Sequence, residues 1–180
     1  MVYILYGTGL EEIEAITVAD ILRRAQIPMQ TVGIGGKSIT GAHGLVLETD
    51  ITLDQLDLSQ LDCIVLPGGM GGVEAIEASA PAMQAITYAL ENDKYVAAIC
   101  AAPTILGKRG WLDRKKATCY PGCEAQLTGA KVTDKRFVTD GRVVTSRGAG
   151  TAPYFAFALI EALCGEEKAM EIMREVVFTI

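Results

Sequence analysis

The sequence predicts an α/β protein in which a mostly parallel β-sheet is covered by helices on both faces. Two observations support this fold class. Short apolar runs rich in β-branched residues alternate with longer amphipathic stretches, an order typical of parallel sheets with crossover helices. The chain has 180 residues, of which 50% are hydrophobic and 21% charged, as in globular proteins. No repeat or linker interrupts residues 1–180, so we predict a single domain.

The first half of the chain opens with a strand and a helix. The apolar run at 2–7 predicts the first strand, because it is rich in β-forming residues and ends at glycines. Residues 11–25 predict the first helix, since acids occupy its first turn and arginines its last, as the helix dipole favours. The apolar stripe of this helix is predicted to consist of Ile13, Ile16 or Thr17, and Leu22. The next elements are predicted to be a strand at 29–34, a hairpin within 35–50, a strand within 63–69, and helices near 73–79 and 81–92.

The second half continues the alternation of strands and helices. Its predicted elements are strands at 95–100, 116–119 and 142–146, and helices at 151–165 and 166–176. In open α/β sheets, ligands bind beside the carboxyl ends of the strands. The segments expected to meet along that edge are 7–14, 67–72, 100–103, 119–121 and 146–150.

The charge and hydropathy of the chain exclude several classes of partner. The formal net charge is −6 and basic residues form only short clusters, so we expect no nucleic-acid partner. No apolar run approaches the roughly 18 residues that a membrane helix needs, so we expect no membrane span. The N-terminal apolar run lacks a basic region and meets glycines after six residues, which favours a strand over a signal peptide. We therefore expect a cytoplasmic protein.

The five cysteines are expected to be free thiols, because nothing in the sequence indicates export. Cys63 and Cys164 lie in apolar runs and are expected to react slowly. Cys119 and Cys123 flank a short YPG segment. A structural zinc site there would need four nitrogen or sulfur ligands, and the single histidine, His43, is far away in the sequence. We predict no metal site and no cofactor.

Cys100 is the first candidate for a functional residue. Around it the chain changes from β-type to helix-compatible residues, with alanines two positions before and two after. Small residues at those places are what a sharp turn from strand to helix requires. A thiol at the start of a helix is favoured as the thiolate. The alternative is an inert cysteine that fills space in a buried apolar run.

Two further candidates come from the other predicted loops. The glycines of LPGGMGG, including Gly68 and Gly69, would let backbone N–H groups approach a ligand and form an oxyanion hole opposite Cys100, or they form a plain turn. Glu14 follows Glu11 and Glu12 at the start of the first helix. Such acids commonly complement the helix dipole, but a partly buried carboxyl near a thiol would have a raised pKa and could exchange a proton with sulfur.

The distribution of histidine weakens the assignment to ordinary cysteine hydrolases. Those enzymes need a histidine base beside the thiol. His43 lies on the predicted hairpin, away from the strands that carry the candidate loops. Peptidase and amidotransferase functions are therefore not favoured.

Four segments together resemble the ThiJ/PfpI superfamily, and most closely its DJ-one branch. They are EEIEAITVADILRRAQI, VLPGGMGGVEAI, AAICAAPTIL and VVTSRGAGTA, and their order covers nearly the whole chain. The resemblance implies a flavodoxin-like three-layer sandwich that forms a homodimer through its first helix, with His43 directed towards the partner's site. It places the family's reactive cysteine at Cys100, its acidic partner at Glu14 and its oxyanion-binding N–H groups at Gly69 and Ala101.

The sequence departs from the family pattern at two positions. The histidine found in many relatives falls on Tyr120, and the usual SRGPG reads SRGAG, with Ala149 in place of proline. We expect Tyr120 to contact the substrate, and Ala149 to loosen its loop. The resemblance implies a cysteine-dependent stress-response protein that acts on a small carbonyl substrate such as an α-oxoaldehyde, in a glyoxalase or deglycase reaction. The alternative is a non-catalytic redox sensor or chaperone that responds to oxidation of Cys100.

Overall fold

The molecule is built around a central β-sheet. The computed structural model describes residues 1–179. The strands are β1 (Val2–Tyr6), β2 (Met29–Gly33), β3 (Ser38–Thr40), β4 (Val46–Glu48), β5 (Ile51–Thr52), β6 (Cys63–Leu66), β7 (Tyr95–Ile99), β8 (Lys116–Ala117), β9 (Lys131–Val132), β10 (Phe137–Asp140) and β11 (Val143–Ser146). Seven of them form one sheet in the order β10-β11-β7-β6-β1-β2-β5. Every neighbouring pair in it is parallel except β10 and β11. The predicted mostly parallel sheet is confirmed.

The helices lie on both faces of this sheet. They are α1 (Glu12–Arg24), α2 (Met70–Ala78), α3 (Ala80–Glu91), α4 (Pro103–Gly107), α5 (Ala152–Cys164) and α6 (Glu166–Glu175). Side chains of β1 alternate between the faces, as the two-residue period of a strand requires. Ile4 and Tyr6 join the core formed with α1, α5 and α6, whereas Tyr3 and Leu5 join the core formed with α2 and α3. The three-layer arrangement expected from the sequence is therefore present. Within the described residues, no helix is long and apolar enough to cross a bilayer.

The predicted apolar stripe of α1 is only partly buried, since Leu22 lies in the core but the two isoleucines do not. Ile13 and Ile16 are 56% and 42% exposed. The residues of α1 that are buried are Glu12, Glu14, Ala15, Val18, Ile21 and Leu22. The helix is turned so that two acids of its first turn face the loops at the edge of the sheet, and this orientation leaves the two isoleucines in solvent.

The predicted strand at 116–119 is also only partly correct. Only the two residues of β8 are extended, and they pair with β9 in a separate two-stranded sheet. The next N–H group, that of Thr118, donates to the side-chain oxygen of Thr145 at 3.0 Å and therefore does not continue the pairing. Three strands have no predicted counterpart: the short edge strand β5, the strand β9, and β10, which forms a hairpin with β11.

Candidate functional site

The loops at the carboxyl ends of β1, β6, β7 and β11 meet as the sequence predicts. The N–H group of Gly68 donates to Glu14 Oε2 at 2.8 Å. The N–H group of Cys100 donates to the carbonyl of Ser146 at 3.0 Å, and the carbonyl of Cys100 accepts from the N–H of Tyr120 at 2.8 Å. Five segments of the chain, those of Glu14, Gly68, Cys100, Tyr120 and Ser146, thereby meet around the Cys100 side chain.

Cys100 occupies a sharp turn between β7 and α4, as predicted. Its φ angle is +66°, a left-handed conformation that costs a residue other than glycine roughly 1 kcal/mol. Ala98 and Ala102 on either side are fully buried, so larger side chains have no room there. The hydrogen bonds to Ser146 and Tyr120 hold this conformation. The thiol itself is only partly buried.

Gly68 separates the Cys100 thiol from the Glu14 carboxyl. A Cβ atom at position 68 would lie 2.5 Å from Glu14 Oε2 and 3.1 Å from Cys100 Sγ, so only glycine fits between these groups. Glu14 is 1% exposed. Its second oxygen, Oε1, is buried and has no hydrogen-bond partner among residues 1–179. This oxygen is therefore free to bind or release a proton.

Two backbone donors approach the sulfur from the other side. The N–H groups of Gly69 and Ala101 hydrogen-bond to Cys100 Sγ and lower its pKa. They are the donors that the family resemblance places at an oxyanion hole. Gly69 precedes the first turn of α2, and Ala101 follows Cys100 directly. A negatively charged atom bound near Sγ would therefore meet two N–H groups that are already oriented.

The electrostatics of the Glu14 and Cys100 pair differ from the sequence-based expectation. Burial raises the pKa of Glu14 to about 7, although the Gly68 N–H and Cys100 oppose the shift. Burial and the negative charge of Glu14 raise the pKa of the Cys100 thiol to about 12, against the N–H groups of Gly69 and Ala101. The expectation of a low thiol pKa is therefore not met, because burial and the nearby Glu14 charge outweigh the two N–H groups.

Tyr120 lies at the solvent-exposed edge of this site. It is 52% exposed, and its ring packs against Gly148, where a Cβ atom would lie 3.3 Å from Tyr120 Cδ2. The loop that contains Ala149 is held by Thr151, whose side-chain oxygen bonds to the N–H and the carbonyl of Gly148 and to Ser146. These hydrogen bonds give no sign of the loosening of the loop that was expected from Ala149.

The other cysteines differ from Cys100 in their surroundings. Cys63 is fully buried, and burial raises its pKa to about 12. Burial also raises the pKa of Cys119, to about 11. Cys164 is exposed, so burial gives no reason for it to react slowly, and its reactivity stays a prediction. Cys164 is the last residue of α5 and faces solvent. The apolar run before it does not indicate this exposure.

A second group of polar side chains lies beside this site, and the sequence analysis missed it. His43, on the loop between β3 and β4, places Nδ1 2.9 Å from Glu12 Oε2, and its own N–H donates to Glu12 Oε1 at 2.7 Å. Burial alone would raise the pKa of Glu12, but hydrogen bonds from His43 and Leu45 outweigh it and lower the pKa to about 2. The single histidine is thus held by α1 of its own chain.

Comparison with known proteins identifies the family. A profile of the DJ-1/PfpI family matches residues 1–162. The chain belongs to the DJ-1/PfpI family. Protein dj-1beta of Drosophila melanogaster is 38% identical over 174 residues, which cover 95% of this chain and 93% of that protein. A Caenorhabditis elegans relative, glutathione-independent glyoxalase DJR-1.2, is 30% identical over 166 residues, which cover 91% of this chain and 88% of the relative.

Solved structures of DJ-1/PfpI proteins share the fold. Oxidized DJ-1 of Toxoplasma gondii superimposes with a TM-score of 0.95 and 30% identity, over 99% of this chain and 98% of that one. The flavodoxin-like sandwich implied by the family resemblance is therefore confirmed.

Proposed function

We propose that this DJ-1/PfpI protein converts small α-oxoaldehydes such as methylglyoxal to hydroxy acids, with Cys100 as nucleophile and Glu14 as proton carrier. The observation that carries the proposal is the position of the thiol. It lies between a buried carboxyl with a raised pKa and the two N–H groups of Gly69 and Ala101. A relative named as a glutathione-independent glyoxalase supports the same reaction class.

In the first step, Cys100 sulfur attacks the aldehyde carbon. A bond forms between sulfur and carbon, and the electron pair of the C=O bond moves to oxygen. The N–H groups of Gly69 and Ala101 stabilise that oxyanion. The ionised Glu14 carboxylate accepts the thiol proton during the attack, so no free thiolate is needed. The protonated Glu14 then gives this proton to the oxyanion, which yields a hemithioacetal and restores the carboxylate.

In the second step, Glu14 moves a proton between neighbouring carbons. It removes the hydrogen from the former aldehyde carbon as a proton and returns a proton to the adjacent carbon. The hydroxyl proton of the first carbon passes to the oxygen of the adjacent carbon, so the hemithioacetal becomes the thioester of a 2-hydroxy acid. Glu14 Oε1, which has no protein partner among residues 1–179, is the oxygen available for this transfer. Water then cleaves the thioester and restores the thiol. The reaction is an internal oxidation and reduction, so it needs no external oxidant or cofactor.

Turnover of methylglyoxal by the purified protein tests the proposal. In thiol-free buffer, we expect Cys100→Ala to lose at least about 10³-fold in the rate of hydroxy-acid formation, because the covalent step is removed. Cys164→Ala, which removes an exposed thiol, is the matched control and should keep the wild-type rate. Equal rates for Cys100→Ala and wild type would show that another group performs the reaction.

A redox sensor is the second candidate function, and the partial exposure of the thiol favours it. Two equivalents of peroxide would oxidise Cys100 to a sulfinate and leave two waters. The N–H groups of Gly69 and Ala101 and a protonated Glu14 would bind the sulfinate oxygens. A relative has been crystallised in a form described as oxidized. Absence of methylglyoxal turnover in the wild type, together with selective sulfinate formation at Cys100 by mass spectrometry, would favour this function.

We propose that the protein associates as a homodimer through α1 and the β3–β4 hairpin. Ile13 and Ile16 of α1 are exposed apolar side chains, and so are Leu45 and Val46 of the hairpin. Ile16 and Val46 line the same groove. Burial of such a patch against a second copy would remove it from water.

Sedimentation measurements test the homodimer. Ile16→Lys should weaken association at least about tenfold, because a charge would be buried in the contact. Met170→Lys changes a similarly exposed apolar residue on α6 and should leave association unchanged. A monomeric wild type, or equal effects of the two variants, would contradict this interface.

A further inference from the structure

We propose that Glu11, Glu12 and His43 bind one zinc ion where the β3–β4 hairpin meets the start of α1. One ligand atom from each residue lies within 4.8 Å of the others. The group combines an imidazole with two carboxylates and joins two separate elements of the fold. It lies outside the Cys100 and Glu14 pair, so the proposal does not rest on the proposed enzymatic function.

The distances between the ligand atoms suit a tetrahedral ion. Nδ1 of His43 is 2.9 Å from Glu12 Oε2 and 3.7 Å from Glu11 Oε2. Zinc bonds to nitrogen and carboxylate oxygen are about 2.0–2.2 Å, so tetrahedral ligands lie about 3.4 Å apart. Both separations are within roughly 0.5 Å of that value. The His43 side chain is 70% exposed and can rotate to make this adjustment.

Glu12 provides a fixed carboxylate for the site. Its side chain is 4% exposed. Oε1 accepts from the backbone N–H groups of His43 at 2.7 Å and Leu45 at 3.4 Å, which leaves Oε2 directed at the imidazole. Gly41 packs directly against this carboxyl, with no room for a Cβ atom. The Glu12 carboxylate is therefore held in place before any ion binds, and this lowers the entropic cost of binding the ion.

Glu11 provides the second carboxylate. Its Oε1 caps α1 by accepting from the N–H of Ile13 at 3.4 Å, and its Oε2 faces His43. Among residues 1–179, no lysine or arginine nitrogen lies within 4 Å of either glutamate, and the ion pairs of both are with His43 alone. The helix dipole opposes a cation at this end of α1, but the fractional charge of the dipole is smaller than the charge of two carboxylates.

The chemistry of the donors favours zinc among the common divalent ions. Imidazole with carboxylates suits zinc, whereas magnesium and calcium prefer oxygen ligands alone. Three protein ligands leave a fourth position for water. For zinc to bind Nδ1 the proton must leave that atom, and Nε2 can carry it. The ion would then replace the hydrogen bond that now joins His43 to Glu12.

The test uses the single histidine of the chain as its reporter. Cys100, Cys123 and Cys164, which are not fully buried, are first changed to alanine so that they cannot bind the metal. Ile16→Lys is added to weaken the proposed homodimer, so that a second copy does not cover His43. Zinc chloride is then titrated by calorimetry, and modification of His43 by diethylpyrocarbonate is followed by absorbance with and without zinc. We expect one equivalent to bind and to slow the modification at least about fivefold.

Matched variants test which residues bind the zinc ion. His43→Gln and Glu11→Gln should each weaken zinc binding at least about tenfold, since each removes one ligand. Glu48→Gln changes an exposed carboxyl of the same hairpin and should leave the affinity unchanged. Failure to bind zinc, equal affinity in His43→Gln, or histidine modification that zinc does not slow would each overturn the proposal.

Discussion

Glu14→Gln is expected to lose about 10²–10⁴-fold in methylglyoxal turnover and yet to gain stability relative to wild type as the pH rises above 5. Glutamine can still accept from the Gly68 N–H, so the loop geometry should be kept. It cannot carry a proton between substrate carbons. The variant therefore separates the chemical role of Glu14 from its structural role.

The direction of the pH effect follows from the raised pKa of Glu14. The ordinary carboxyl value is 4.5, and burial raises the pKa to about 7 in the folded protein. Between these values the folded state binds the proton more strongly than the unfolded state, so the free energy of unfolding falls as the pH rises. The stabilising contribution is complete below pH 4.5 and lost above about 7. A shift of this size corresponds to about 3 kcal/mol.

Denaturant unfolding of wild type and Glu14→Gln at pH 5 and pH 8, with a chelator present, measures this effect. The difference between the two proteins should change by about 2–3 kcal/mol in favour of the variant at pH 8. Glu74→Gln, on the exposed side of α2, should show no such change. Parallel stability curves for wild type and Glu14→Gln would mean that Glu14 does not titrate in this range.

Thiolate absorbance gives a second measurement on the same variants. Cys100→Ala supplies the baseline for the sulfur signal. Because the two groups titrate as a pair, Glu14→Gln should change the sulfur titration. Glu14→Gln should lower the pKa of the thiol, and Glu14→Asp should lower it less, since aspartate keeps the negative charge but draws it away from the sulfur. Superimposable curves for the three proteins would show that Glu14 does not act on the sulfur, and the proposed mechanism would be lost.

Gly69→Ala is expected to lower both stability and turnover. Gly69 has a φ angle of +82°, and a Cβ atom there would lie 2.5 Å from the backbone nitrogen of Glu11 and 2.6 Å from the carbonyl carbon of Leu10. Neither backbone atom can move aside cheaply. Strain and overpacking together should cost roughly 3 kcal/mol and lower Tm by roughly 10 °C. Displacement of the N–H donor should cost a further 10²–10³-fold in kcat.

Gly150→Ala is the matched control for this substitution. Gly150 lies in another loop near the site, and a Cβ atom there meets nothing within 4 Å. Its Tm should stay within about 2 °C of wild type. Thermal unfolding and methylglyoxal turnover of the two variants are measured together. If Gly69→Ala matched Gly150→Ala in both, the N–H of Gly69 would have no part in catalysis and the loop would not be tightly packed.

The main parts of the fold and the site could be predicted because they depend on local patterns. Apolar runs marked the long strands, and helix-end signals marked α1. The alanines around Cys100 indicated the turn that the structure contains. The rule that parallel strands present ligand sites at their carboxyl ends then brought Glu14, Gly68 and Cys100 together.

The parts that could not be predicted depend on tertiary contacts. The orientation of α1 reverses the expected burial of Ile13 and Ile16, because Glu12 binds the hairpin and Glu14 binds the Gly68 loop. No periodicity in the sequence distinguishes an acid that faces solvent from one that anchors a loop. The raised pKa of Cys100 likewise arises from burial and a neighbouring charge, neither of which the alanines around it reveal.

The left-handed backbone at Cys100 has a consequence for how the family diverges. At a φ angle of +66° glycine would be the less strained residue, so cysteine at this position carries a cost in backbone energy. A lineage that no longer used the sulfur would gain stability by drifting to glycine. The residue found at this position in a descendant sequence is therefore a record of whether selection still acts on the thiol.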